Sequence, residues 1–225
     1  MKKEIIVTAD GSDSIFIPDM DVTYHSSHGA IQESMHVFIE AGLRYISTDK
    51  KKPGTISLLE MGLGTGLNAL LTLAEAGKKQ QKIYYETIEL YPLDANIFTS
   101  LNYCEQLGRP DLQPLFELIH TCNWDTTIAI TPYFDFKKKQ INLEEFSTNQ
   151  LFNIVYFDAF SPEKQPSLWT VDVFKKLYGI MQADALLTTY CSKSIVRKAM
   201  TEAGLKVEKI PGPPHKREMV RALKL

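Results

Sequence analysis

The sequence predicts an α/β domain with a seven-stranded, largely parallel sheet, an antiparallel edge, an N-terminal β-hairpin extension and an inserted hairpin. Three observations predict it. A short apolar run, Ile56 to Met61, ends in the turn Gly62-Leu63-Gly64-Thr65-Gly66, and an apolar-periodic segment, Leu67 to Ala76, follows; this reads as strand, tight turn and helix. Strand-like and helix-like patterns then alternate, which is the order of an open α/β sheet. Finally, two strand patterns, Lys206 to Ile210 and Glu218 to Leu223, lie next to one another at the end of the chain, as an antiparallel edge requires.

Each element has its own signal. Ile5 and Val7, then Ile15 and Ile17, alternate around Asp10-Gly11-Ser12, a hairpin pattern. A polar stretch, Tyr24 to Ala30, leads into apolar residues at 31, 35, 38, 39 and 43. That is helical spacing, with Gly42 near its end. Lys50 to Gly54 reads as a basic Pro-Gly loop. Lys82 to Leu90 is the second core strand. Pro92 suits the first turn of a helix running to about Leu101, and a further helix covers Leu112 to His120. Alternation through Ile128, Ile130 and Tyr133 to Phe136, before Lys137-Lys138-Lys139 and Ile141-Asn142-Leu143, predicts an inserted hairpin with the lysines in a solvated turn. Phe152 to Phe157 is a buried-strand pattern, a helix follows over Ser167 to Met181, and Ala185 to Tyr190 is the next strand. Ser192 is the expected cap of a helix that Gly204 ends.

At 225 residues and 44% hydrophobic content the chain suffices for one domain, 1–225, with 1–50 as an extension and 51–225 as the core. Lys plus Arg number 25 against 27 for Asp plus Glu, a net charge of −2, so no global field draws nucleic acid and any RNA contact must be a local patch. The N-terminus has no apolar core of signal-peptide length, and no run of about 18 apolar residues occurs. Three cysteines without a C-x-x-C pair argue against a disulfide framework or a zinc site and fit a reducing cytoplasm.

The glycine turn lies where an open α/β sheet binds ligands, at the carboxyl end of its first core strand. Its spacing excludes two ligand classes. The dinucleotide fingerprint needs Gly or Ala at position 67, which is Leu67, and a P-loop needs a lysine that is absent. Glu60-x-Gly62-x-Gly64-x-Gly66 instead resembles the first motif of S-adenosylmethionine (AdoMet) methyltransferases, and the resemblance implies that Glu60 reaches the methionine end of the cofactor. A glycine turn that binds nothing is the alternative. Glu89 falls at the end of the second strand, where such sheets place the acid that bonds ribose hydroxyls. Asp158, after Phe152 to Phe157, should point into the same crevice. A carboxylate there can accept an N–H from an amine nucleophile, orient it and take its proton. Phe160 and Pro162 would shape a wall for a planar base.

Four ordered motifs carry a closer resemblance: Tyr24-His25-Ser26-x-x-Gly29-Ala30-x-Gln32-Glu33-Ser34-x-His36-Val37-Phe38, Gly62-x-Gly64-Thr65-Gly66-Leu67-Asn68, Asp158-x-Phe160-x-Pro162-x-Lys164-x-Pro166-x-x-Trp169-Thr170 and Lys216-Arg217-Glu218-Met219. Together they resemble the methyltransferase half of the MnmC type, tRNA 5-(aminomethyl)-2-thiouridine methyltransferases. The resemblance implies a Rossmann-like sheet, AdoMet as cofactor and N-methylation of the aminomethyl group on the wobble uridine in the tRNA anticodon stem-loop. It implies cofactor contacts from Tyr24, Gln32 and Glu33, closing over the site from the extension, and from Glu60, Gly62, Gly64, Thr65, Gly66, Asn68, Glu89 and Asp158. Where the family tends to use an aspartate against the adenine amino group, this chain offers Asn142. Lys164, His215, Lys216 and Arg217, with Lys193 and Arg197, are the candidate phosphate contacts. No flavin-dependent domain follows within the 225 residues, so a separate oxidase is expected to supply the amine, and neither metal nor membrane is expected. The alternatives are an aminopropyltransferase or small-amine N-methyltransferase of the same fold, or a non-catalytic RNA-binding module.

Overall fold

The computed structural model describes residues 2–47 and 54–225. The predicted Lys50–Gly54 loop, apart from Gly54, and the expected 50/51 boundary lie outside the described residues. The N-terminal hairpin forms as β1 (Glu4–Val7) and β2 (Asp13–Ile17), and a short β3 (Val22–Thr23) completes a three-stranded sheet. Its Asp10 turn does more than reverse the chain. Asp10 Oδ1 accepts the Ser12 amide at 3.0 Å, while Oδ2 accepts the Gln32 amide at 2.9 Å, satisfying an otherwise orphan donor in the first turn of α1 (Ala30–Ser34).

That helix has Gly42 near its end, as expected. It continues in wide, π-type turns over Met35–Arg44 and closes as α2 (Tyr45–Ser47). Gly42 is there because the helix crosses the sheet closely: a Cβ would lie 3.1 Å from both Tyr156 and Thr188. The Thr188 hydroxyl donates to the Val37 carbonyl at 2.8 Å. Arg44 grips the buried Glu75 with two bonds of 2.8 and 2.9 Å, fixing this helix to α3 (Leu67–Lys79). Arg44→Met should therefore cost about 1–3 kcal/mol in denaturant unfolding, because it strands a mostly buried carboxylate. The Arg44 hydrogen bond and charge hold the Glu75 carboxyl below its usual range. This contribution is thus present above the ordinary carboxylate range and is lost as pH falls through the depressed value. The variant should lose less stability on acidification than the parent.

The core sheet has eight strands in the order β10-β11-β9-β8-β4-β5-β7-β6. Its parallel centre is β4 (Thr55–Met61), β5 (Lys82–Ile88), β7 (Phe134–Lys139), β8 (Phe152–Phe157) and β9 (Met181–Thr189). The strands β10 (Lys206–Pro211) and β11 (Glu218–Leu223) form the antiparallel edge that the sequence predicts. The count exceeds seven because the inserted hairpin joins the sheet: β6 (Ile128–Thr131) pairs with β7 on the other edge. Strands β4 and β8 read as continuous apolar runs because both faces are covered. Leu58, Ile154 and Tyr156 pack with Val37, Leu70 and Phe116 in one layer. Leu59, Val155 and Phe157 pack in the other with Phe174 of α7 (Val171–Gly179) and Met200 of α8 (Ser194–Glu202).

Several boundaries move. The lysine run is no turn: Pro132-Tyr133 makes the reversal, and period two puts Lys138 on the buried face with Phe134 and Phe136. Its ammonium donates to the His120 carbonyl and lies 4.4 Å from the Trp124 ring centre. The helix expected after Pro92 is only α4 (Ala95–Phe98), followed by α5 (Tyr103–Gln106), while α6 spans Gln113–Thr121. Thr170 rather than Ser167 starts α7, and Lys193 precedes α8 where Ser192 was the expected cap.

Strand order places the site. β4 runs to β5 on one side, and the chain returns to place β8 on the other side of β4. Loops leaving the carboxyl ends of β4 and β8 therefore diverge and open a crevice between them.

Candidate active site

The glycine turn occupies that crevice. Gly64 and Gly66 have φ of 51° and 76°, in the left-handed region that side chains with a Cβ disfavour. Neighbours add a second constraint: a Cβ on Gly64 would lie 3.0 Å from the Tyr24 ring, and one on Gly66 would lie 2.6 Å from His120 Nε2. The turn is tied to β5 by the Gly62 amide, which donates to the Ile88 carbonyl at 3.0 Å. Thr65 is clamped by two imidazoles, one buried and one half-buried. His25 Nε2 is 2.7 Å from Thr65 Oγ1, and His120 Nε2 donates to the Thr65 carbonyl at 3.1 Å. Burial pushes both histidines down to about 4, so both brace the turn as neutral rings at pH 7.

Glu89 completes the cradle. Its Oε2 accepts the Gly64 amide at 2.9 Å and its Oε1 accepts the Tyr91 amide at 2.7 Å. A carboxylate has about four acceptor positions, so capacity for two ribose hydroxyls remains.

Across the crevice, Asp158 follows β8 and Asn68 opens α3. The Asn68 amide donates to Asp158 Oδ2 at 2.8 Å. Burial raises the Asp158 carboxyl to about 7, against the Asn68 bond; Glu33 raises it further and Lys216 lowers it. The following loop is fixed by three bonds. The Phe160 amide donates to Gln165 Oε1 at 3.0 Å, Trp169 Nε1 to the Phe160 carbonyl at 2.8 Å, and the Tyr190 hydroxyl to the Ala159 carbonyl at 2.9 Å. The Phe160 ring meets Tyr24 edge-on at 5.3 Å.

Gly62, Gly64, Thr65, Asn68, Glu89, Asp158 and Phe160 line a cavity of about 350 Å³. Met61, Ile88, Ile141, Leu143, Ala159 and Leu168 supply apolar wall, while Tyr24, His25, Glu89, Asn142 and Asp158 supply polar groups. A cradle of glycines beside an acid, with an apolar slot for a base and a carboxylate opposite, fits AdoMet in residue type and size. Among the described residues, no group of three or more His, Cys, Asp and Glu side chains is placed to hold a metal ion, and no helix is long and apolar enough to cross a membrane.

The structure brings Tyr24, Gly62, Gly64, Thr65, Asn68, Glu89, Asn142, Asp158 and Phe160 to this cavity and leaves others outside it. Gly66 stands behind the turn against His120 and Phe116. Glu60 is sealed in the core at 0% exposure. Gln32 is exposed, and its backbone amide donates to Asp10. Glu33 is buried, accepts the Ser26 amide at 2.9 Å and pairs with Lys216. Asn142 lines the slot, but its Oδ1 already accepts the Glu145 amide at 2.8 Å.

The candidate phosphate contacts are similarly divided. Lys216 is held by Glu33 and lies 4.6 Å from the Tyr190 ring centre. His215 stacks on His28 at 4.1 Å. Lys164 donates to the Met20 carbonyl at 2.7 Å, Lys193 pairs with Glu163, Arg197 donates to the Ser192 carbonyl at 3.0 Å, and Arg217 is exposed. Lys216 and His215 thus fasten the C-terminal loop to the N-terminal segment. The sequence reading missed His25, Tyr91 and Leu168 as cavity residues. The Tyr-His-Ser motif and the step past Glu89 were the available signals for the first two.

Cradle and cavity together have the form of a site for AdoMet, and residues 124–225 match the family model described as S-adenosyl-L-methionine-dependent methyltransferase. The chain is similar to the tRNA 5-methylaminomethyl-2-thiouridine biosynthesis bifunctional protein MnmC of Legionella pneumophila, with 27% identity over 96% of this chain and 36% of that protein. The protein of the same name from Nitrosospira multiformis is 28% identical over 88% of this chain and 33% of its own length. The chain therefore spans about a third of the length of the curated relatives it matches. The crystal structure of MNMC2 from Aquifex aeolicus shares the fold, with a TM-score of 0.79 and 24% identity over 98% of this chain and 69% of that one.

Proposed function

We propose that this chain methylates a primary amine, the aminomethyl group of 5-aminomethyl-(2-thio)uridine at the tRNA wobble position. The observation that carries the reading is Asp158: a carboxylate held by Asn68 at 2.8 Å, facing the same cavity as the glycine turn. AdoMet supplies an electrophilic methyl group on a sulfonium. In-line displacement then asks the protein mainly for alignment and for an amine with a free lone pair. Gly62 and Gly64 leave room for the ribose and sulfonium, Glu89 accepts ribose hydroxyls, and Asn142 lies beside the adenine slot.

Asp158 accepts an N–H of the entering amine, points its lone pair toward the methyl group and receives the proton released after transfer. Phe160, backed edge-on by Tyr24, offers a face for the uridine ring. The N-terminal extension, over its described residues 2–47, closes this side of the cavity with Tyr24 and His25 as its contributions; Glu33 contributes indirectly, through Lys216. Arg217 and Lys164, with Lys193 and Arg197, meet phosphates of the tRNA. A separate oxidase activity supplies the aminomethyl group, and a tRNA substrate fits a cytoplasmic protein.

The test is incubation of hypomodified tRNA carrying 5-aminomethyl-uridine with AdoMet, followed by nucleoside mass spectrometry. The expected result is a gain of one methyl on that nucleoside; an unchanged nucleoside would contradict the proposal.

A further inference from the structure

Beneath Asp158 lies a group of buried polar side chains that the reaction above does not use. Glu60 stands at the end of β4, with Thr87 of β5 and Tyr156 of β8 beside it in register. Tyr85, Asn68 and Thr87 are within hydrogen-bonding reach of its carboxyl. Yet neither carboxyl oxygen has a short, well-directed bond, nor do Asn68 Oδ1, Tyr85 Oη and Thr87 Oγ1. Buried polar groups in native proteins are nearly always paired, so a cluster of this size needs an explanation.

Charge supplies it. The charged group that acts on Glu60 is Asp158, which has the same sign, and burial followed by Asp158 holds the Glu60 carboxyl well above the usual carboxylate range. The titratable groups facing it from the packed elements are Tyr85, Tyr156 and Asp158, and burial holds both phenols neutral. Asp158 itself is faced by Glu33 and Lys216. An ionised Glu60 would be a sealed charge without a cation, whereas a protonated one is neutral and has a proton to donate. Asn68 Oδ1 lacks a donor, and the other end of the same amide already donates to Asp158.

We propose that Glu60 is a neutral carboxylic acid that donates its proton to Asn68 Oδ1 and so aims the Asn68 amide at Asp158. It is a positioning residue, not a ligand for the methionine end of AdoMet. Its other oxygen accepts from the Tyr85 and Thr87 hydroxyls. A neutral Glu60 adds no second negative charge beside Asp158, which leaves Asp158 free to ionise near neutral pH. The kinetic part of this inference rests on the proposed role of Asp158; the protonation state of Glu60 does not.

Infrared difference spectroscopy of the whole chain, without tRNA, separates the two parts. The carbonyl stretch of a protonated carboxyl should persist at about pH 9, where Asp158 is ionised, and vanish in Glu60→Gln. Glu60→Gln keeps a donor and an acceptor without charge, so it should hold AdoMet affinity and kcat within about threefold of the parent and keep the acid limb of the pH profile. Glu60→Ala should lower kcat by about tenfold with little change in AdoMet affinity, and the Gln variant should rescue that loss. Absence of the persistent band, or a loss of AdoMet affinity of more than about tenfold in Glu60→Gln, would overturn the proposal. Both of those readouts survive if the Ala variant does not fold or if tRNA proves to be the wrong acceptor.

Discussion

Replacing Asp158 by Asn should lower turnover by about 10²- to 10³-fold while leaving AdoMet affinity within about threefold. The amide keeps the shape and still reaches Asn68, but it cannot take the amine's proton. Its carbonyl accepts an N–H only weakly by comparison with a carboxylate. Radiometric methyl transfer gives the first number and calorimetry with AdoMet the second; turnover like that of the parent would remove Asp158 from the mechanism.

The same substitution has a pH signature. Because burial places the Asp158 carboxyl at about 7, the parent's kcat/KM should fall about tenfold per unit below that pH as the carboxylate is lost. The variant's profile should lack this limb. Stability should move in the opposite sense. A carboxyl raised from its unfolded value binds more protons in the native state, so its contribution is complete below about 4 and disappears as pH rises through about 7. At pH 8 Asp158→Asn should therefore melt at or above the parent's temperature even though it is nearly inactive. Thermal melts at pH 5 and pH 8 measure this crossing.

Gly66→Ala should be the most damaging single substitution in the turn. A non-glycine residue at φ 76° costs about 1–2 kcal/mol before any contact is counted. Its methyl would also meet His120 Nε2 at 2.6 Å. His120 cannot easily yield, because its ring lies flat on Phe98 at 4.5 Å and its carbonyl holds Lys138. The turn must shift instead, which disturbs the Thr65–His120 and Gly64–Glu89 bonds. AdoMet affinity should fall at least about tenfold, and Tm should drop by roughly 4–10 °C. Gly77, whose added Cβ would meet nothing within 4 Å, is the control: Gly77→Ala should leave both values nearly unchanged.

Much of this site is legible along the chain. The strand, glycine turn and helix from Ile56 onward declare themselves because a run buried on both faces stays apolar and a left-handed turn demands glycine. Glu89 and Asp158 follow from their places at strand ends. What stays hidden depends on residues far apart in sequence. The resemblance of its motif makes Glu60 a ligand, but Tyr85, Thr87 and Tyr156 seal it off, and only strand order brings them together. Lys138 reads as solvated because a lysine run carries no sign of which member faces inward; the pleat decides it. Lys216 reads as a phosphate contact until the fold sets it against Glu33, 183 positions away in sequence. The wide turns over Met35–Arg44 keep an apolar face that looks like an ordinary helix, so the sequence shows Gly42 only as a residue near the helix end and not as the crossing point.

The most direct test of the central claim is a crystal structure of this chain with S-adenosylhomocysteine. The ribose hydroxyls should bond to Glu89 and the adenine should lie beside Ile141, Asn142 and Leu143. The sulfur should sit between Gly62 and Asp158, with Glu60 out of contact. A ligand seated outside this cavity, or one whose sulfur faces away from Asp158, would contradict the account.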